Sequence, residues 1–158
     1  MKKTFSLLAI CLFSLSLLAS EITKTYHFNN PTIDHRGEYQ IVSFHRSYLS
    51  GLPGKPSLPY QSVQLMLPPG EIAISIEVIL ENEMTLKGEY NLFPYQPSRP
   101  LSAGNEEFFY KESELYERDF DYPETNRGNL TTAFLAGRSV ALCTFTPLLY
   151  NPAKKEIR

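Results

Sequence analysis

Few side chains in this sequence are of a type that carries covalent chemistry. Histidine occurs at His27, His35 and His45, and cysteine at Cys11 and Cys143. A cysteine nucleophile needs a thiolate and a base beside it. Cys143 instead lies in Val140-Ala141-Leu142-Cys143-Thr144-Phe145, an alternating β-prone run where a small apolar side chain is expected inside the core. The histidines show neither HxH nor HxxxH spacing, and after export only one cysteine is left, so a structural zinc site is not expected. Asp119 and Asp121 have the spacing for acid–base work or for oxygen ligation of calcium. They stand in the polar, proline-containing stretch 119–129, where a solvated loop is the simpler expectation. No glycine-rich phosphate loop is present. Asn129-Leu130-Thr131 matches the N-glycosylation acceptor pattern. This is not the inventory of an enzyme, and no cofactor is expected.

The first residues explain where the chain goes. Lys2 and Lys3 precede an apolar run from Phe5 to Leu18, and small residues Ala19 and Ser20 stand before Glu21. That pattern predicts a secretory signal peptide over residues 1–20. The run is too short to span a bilayer comfortably. Its removal leaves one domain of about 138 residues, enough to bury a core without disulfides. Cys11 departs with the signal, so Cys143 has no intramolecular partner. Lys2 and Lys3 depart too, reducing 15 basic residues to 13 against 17 acidic ones, a net charge near −4. With no basic stripe, nucleic acid and anionic membrane are not expected as partners. The product is expected in the periplasm, at the cell surface or secreted.

Around the candidate residues, apolar side chains recur mostly at period two, the signature of strands. Candidate strands cover 23–28, 39–44, 63–67, 72–80, 86–92 and 140–145. Turn chemistry separates them: Asn29-Asn30-Pro31, the stretch 51–59, Pro68-Pro69-Gly70, the stretch 94–100 and Tyr150-Asn151-Pro152. All 12 prolines follow the signal. Pro69-Gly70 suits the centre of a type II turn, so 63–67 and 72–80 are expected to form a hairpin. Leu65, Ile74, Ile76 and Val78 are expected in its core. The upstream prolines predict an extended segment over 55–60, crossing a sheet edge rather than joining its centre. The exception is 105–116, where Asn105 could cap a helix of one or two turns with Glu106 and Glu107 in its first turn. The pattern points to an all-β, antiparallel sandwich or barrel with at most one short helix near 105–116.

Several of these blocks together resemble a known family. Gly54-Lys55-Pro56-Ser57-Leu58-Pro59, followed by 63–67 and Pro68-Pro69-Gly70, is similar to the propeptide domain of gingipain-type secreted cysteine peptidases. Tyr95-Gln96-Pro97-Ser98-Arg99-Pro100 resembles its proline-rich joint, and Tyr122-Pro123-Glu124 its Tyr-Pro motif. Gly137-Arg138-Ser139-Val140-Ala141, Phe145-Thr146-Pro147 and Tyr150-Asn151-Pro152 resemble the block near the domain's end, with Lys155-Glu156-Ile157 opening a further strand. The blocks keep the family's order over roughly residues 48–158.

The resemblance implies an antiparallel, jelly-roll-like β-sandwich over 21–158 that inhibits its cognate peptidase catalytic domain and helps it fold. The His and Cys of the family's catalytic dyad belong to a following domain that is absent here, so this chain is not expected to cleave peptides. It would be either a pro-domain truncated near its C-terminal end or a stand-alone homologue. In members specific for Arg or Lys, the resemblance implies a basic side chain presented to the specificity pocket. The candidates are Arg127 in Thr125-Asn126-Arg127-Gly128, then Arg118 in Glu117-Arg118-Asp119. The competing expectation is an exported β-sandwich binding module for carbohydrate or a cell-surface protein, using some of the 10 tyrosines.

Overall fold

Among the described residues the strand-forming runs pair into three antiparallel sheets. The structure is a computed structural model that describes residues 20–98, 100, 102 and 109–158. A hairpin joins β1 (Thr32–Arg36) and β2 (Tyr39–Ser43). The main sheet has the order β3-β4-β6-β5, from β3 (Tyr48–Ser50), β4 (Leu58–Met66), β5 (Thr131–Leu135) and β6 (Arg138–Phe145). A last hairpin joins β7 (Tyr150–Asn151) and β8 (Glu156–Ile157). The all-β, antiparallel class expected from period-two patterning is the one found.

β6 shows why the pattern works. Ser139, Ala141, Cys143 and Phe145 alternate with more exposed neighbours, so one face of the strand enters the core. Val63 of β4 stands opposite Cys143, and the two join Phe145 in a buried cluster. A larger cluster gathers Val42, Leu58, Leu92, Leu148, Tyr150 and Ile157 with the buried rings of Tyr90 and Tyr122. β4 serves both, offering Leu58 to one and Val63 to the other.

Among the described residues the one short α-helix, α1 (Ser113–Tyr116), falls inside the expected window. Its N-cap is Glu112, without a side-chain cap bond. Asn105, Glu106 and Glu107 lie outside the described residues, as do residues 1–19 of the expected signal peptide. One turn cannot hold itself together. Packing holds it: Leu115 is buried, the Glu112 amide donates to Gly54 O, and Tyr116 OH donates to Leu92 O. Among the described residues, no helix is long and apolar enough to cross a membrane.

The Pro-Pro-Gly turn forms as expected, but the hairpin does not follow it. Glu71 N donates to Pro68 O at 3.1 Å and Gly70 has φ of 80°, the geometry of a type II turn. Beyond it, 72–80 joins no ladder. Ile72 is 62% exposed and Ile74 90%. β4 pairs instead with β6 over Gln61 to Met66, and Leu67 N extends that pairing to Ser139 O. The segment is diverted by a bond from Ala73 N to Thr132 Oγ1 on β5. From there Ile76 and Val78 drop onto Val63, Cys143 and Phe145, half-buried rather than enclosed. Leu65 is likewise half-buried. Alternation here marks extended chain lying over a sheet face, not a strand within it.

The same correction applies twice more. Residues 23–28 join no ladder and contribute rings: Tyr26 and Phe28 meet Phe145 edge-on at 5.3 and 5.7 Å. Residues 86–92 form no continuous strand, making single bonds from Leu86 N to Ile157 O and from Tyr90 N to Lys155 O. Of 55–60, Lys55 stands in a bend, whereas Leu58, Pro59 and Tyr60 belong to the sheet, paired with β3. Pro59 has no N–H, so that ladder draws its β4 donors from its neighbours.

Candidate functional site

Arg127 and Arg118 stand at opposite ends of the segment that links α1 to β5, and that segment is pinned at two points. The first pin is Tyr122. It exchanges two main-chain bonds with Tyr150, each 2.8 Å, and a cis peptide joins it to Pro123. Burial pushes the hydroxyls of Tyr122 and Tyr150 up to about 12, and raises that of Tyr116 further still. The expected exposed loop over 119–129 therefore contains a buried ring as its anchor.

The second pin surrounds Arg127. Gly128 N donates to Thr144 O at 2.7 Å, and Thr146 N donates to Asn126 O at 2.8 Å. Arg127 sits between them, bridged to Phe145 on the side of β6 that β5 also uses. Its side chain is exposed, and it takes part in none of the ion pairs among the described residues. Arg127 is therefore an exposed cation on a backbone fixed on both sides.

Arg118 is held differently. It follows the end of α1, where its amide donates to Leu115 O at 3.3 Å. Its guanidinium lies 5.0 Å from the centre of the Phe120 ring, a cation–π contact that already occupies it.

Asp119 and Asp121 are each engaged by cations, not by one another. Asp119 accepts from Asn151 Nδ2 at 2.7 Å and pairs with Lys154 at 2.9 Å. The bond from Asn151, then the Lys154 ammonium, hold its carboxyl below the usual range. Asp121 pairs with Arg158. These contacts tie the linking segment to the β7–β8 hairpin. Among the described residues, no group of His, Cys, Asp and Glu is arranged to hold a metal ion.

Cys143 is buried, as its place in an alternating run predicts. Its thiol donates to Thr144 O at 3.3 Å and Gly128 O at 3.5 Å. His27, His35 and His45 are all exposed. Among the described residues no base touches the sulfur. What sequence reasoning passed over is Gly128, whose value lies in its contact with Thr144; the only written signal is a glycine directly after the candidate arginine.

Known proteins share this fold. The family model Propeptide_C25 matches residues 22–158. One similar structure is described as giving structural insight into zymogenic latency of gingipain K from Porphyromonas gingivalis. It is 19% identical, with a TM-score of 0.66 over 82% of this chain and 76% of that one. Another is the complex of Porphyromonas gingivalis RgpB pro- and mature domains, also 19% identical with a TM-score of 0.66, covering 84% of this chain and 70% of that one. No curated protein matches the sequence. The stand-alone binding module is not favoured by these matches. A fold shared with gingipain structures and a family match from residue 22 to residue 158 lead to one assignment: the chain belongs to the Propeptide_C25 family, as a pro-domain of the gingipain type and not itself the peptidase.

Proposed function

We propose that this pro-domain, after export and removal of residues 1–20, binds the catalytic domain of its cognate cysteine peptidase, assists its folding and holds it latent. Arg127 is the group presented to the specificity pocket. The observation that carries this reading is Arg127's setting: exposed, without an ion-pair partner among the described residues, and fixed by main-chain bonds on both sides. Arg118 is the second candidate, disfavoured because Phe120 already holds its guanidinium. The sandwich packing implied by the family resemblance fits the way residues 23–28 and 76–78 lie over the cluster of Val63, Cys143 and Phe145.

An anchor that fills a charged pocket leaves its partner unpaired when truncated, which commonly costs about 2 kcal/mol or more. Arg127→Ala is expected to raise the inhibition constant against a gingipain-type peptidase by about thirtyfold or more, with the thermal midpoint unmoved because the side chain lies outside the core. Arg118→Ala is the comparison. Equal inhibition constants for wild type and both variants would remove the basic-anchor reading. Absence of inhibition by the wild-type domain at micromolar concentration would remove the pro-domain's inhibitory role.

A further inference from the structure

We propose that Gly128 and Thr144 are positioning residues that decide which way Arg127 faces. The inference rests on the reading of Arg127 as the anchor and names what holds it.

Two features of the pairing with β6 converge here. The β5–β6 ladder matches Thr131 to Leu142, whereas farther along Arg127 is matched to Phe145. Three steps along β6 thus correspond to four along the facing chain, so one extra residue is accommodated between Gly128 and Thr131. An extra residue of this kind bends the chain and re-aims a side chain. Were the ladder of β5 simply continued, Arg127 would oppose Thr146 and face the other side of the sheet.

Gly128 makes the shifted register possible. Its backbone is not among the positive-φ positions, so an L-residue is allowed there on conformational grounds. Space is what excludes one: a Cβ on Gly128 would lie 2.5 Å from Thr144 Oγ1. Thr144 is held in its strand and, being β-branched, has few rotamers with which to yield. The chain at 128 must therefore retreat from β6 if a methyl is added. The bond from Gly128 N to Thr144 O, which fixes one side of Arg127, would be the first lost. Cys143 Sγ also reaches Gly128 O, so the glycine is held from both its amide and its carbonyl.

The test is a double-mutant cycle of Gly128→Ala, Thr144→Ala and the two combined, read against Arg127→Ala. Hydrogen exchange at the amides of positions 128 and 146 is measured in the isolated domain, and the inhibition constant against a gingipain-type peptidase beside it. Gly128→Ala is expected to speed exchange at both amides and weaken inhibition about tenfold or more, with both effects largely reversed when Thr144→Ala removes the hydroxyl. Unchanged exchange in Gly128→Ala overturns the proposal, as does a combined variant no better than Gly128→Ala. So does faster exchange with full inhibition where Arg127→Ala inhibits poorly. If Arg127→Ala inhibits normally, it is the anchor reading that has failed, and the positioning role falls with it. A general loss of folding is recognised by a fall in thermal midpoint that the combined variant does not recover, and it too overturns the proposal.

Discussion

Val63 and Cys143 face each other across the β4–β6 ladder, both buried, and the Cys143 thiol reaches on to Gly128 O. The pair joins the centre of the main sheet to the chain that carries Arg127. With the thiol enclosed, an aromatic disulfide reagent is expected to label Cys143 only after denaturation. Rapid labelling of the folded domain would contradict the buried assignment and restore a reactive role for the sulfur.

Leu92 and Ile74 test where the core lies. Leu92 is fully buried, and Leu92→Ala is expected to cost roughly 2–5 kcal/mol in denaturant unfolding. Ile74, 90% exposed, is a residue whose replacement by Ser should change stability by no more than about 0.5 kcal/mol. Equal losses would mean that 72–80 is enclosed after all.

Tyr150 has no exposed surface and its hydroxyl donates to Tyr90 O at 2.8 Å. Tyr150→Phe keeps the ring and deletes that bond, stranding a buried carbonyl. The expected cost is roughly 1–3 kcal/mol. A variant as stable as wild type would show that this carbonyl finds another donor.

Alkaline pH should unfold the domain through the same rings. Burial raises Tyr122 and Tyr150 to about 12 from an ordinary value near 10.0. A raised folded value means that their contribution is complete below pH 10 and is lost as pH climbs towards 12, because the unfolded chain releases these protons first. Tyrosinate absorbance should show part of the 10 tyrosines ionising only with unfolding. Ionisation of every ring before any loss of fold would contradict their enclosure.

The legible parts of the fold were those decided by local stereochemistry. Pro69-Gly70 could be read as a turn because the ring and the missing side chain dictate their own dihedrals. Cys143 could be placed inside because β6 alternates and is also paired. Residues 72–80 alternate just as clearly, yet the competition for the edges of β4 is settled by β6, far away in the chain, and no local pattern records that outcome. β1, β3 and β5 went unread, being short and largely exposed on both faces. Of the candidate site, Arg127 could be proposed from a loop and a family resemblance. Its seat on Thr144 and Thr146 could not, since that depends on a one-residue offset between two strands.

The seat of Arg127 also has a timetable. Its two fixing bonds end on Thr144 and Thr146, and β6 is itself held by β4, whose residues precede it by half the chain. A chain emerging from its N-terminus has the arginine in hand before anything exists to aim it. A fully held β6 therefore includes the long-range β4–β6 pairing, a kind of contact that chain entropy allows to form late. In pulse-labelled refolding, protection at the position-128 amide should arrive with that of β6 and never before it. On the proposed reading of Arg127 as the anchor, a half-folded domain would lack its seated arginine, and binding would report that the sheet is complete.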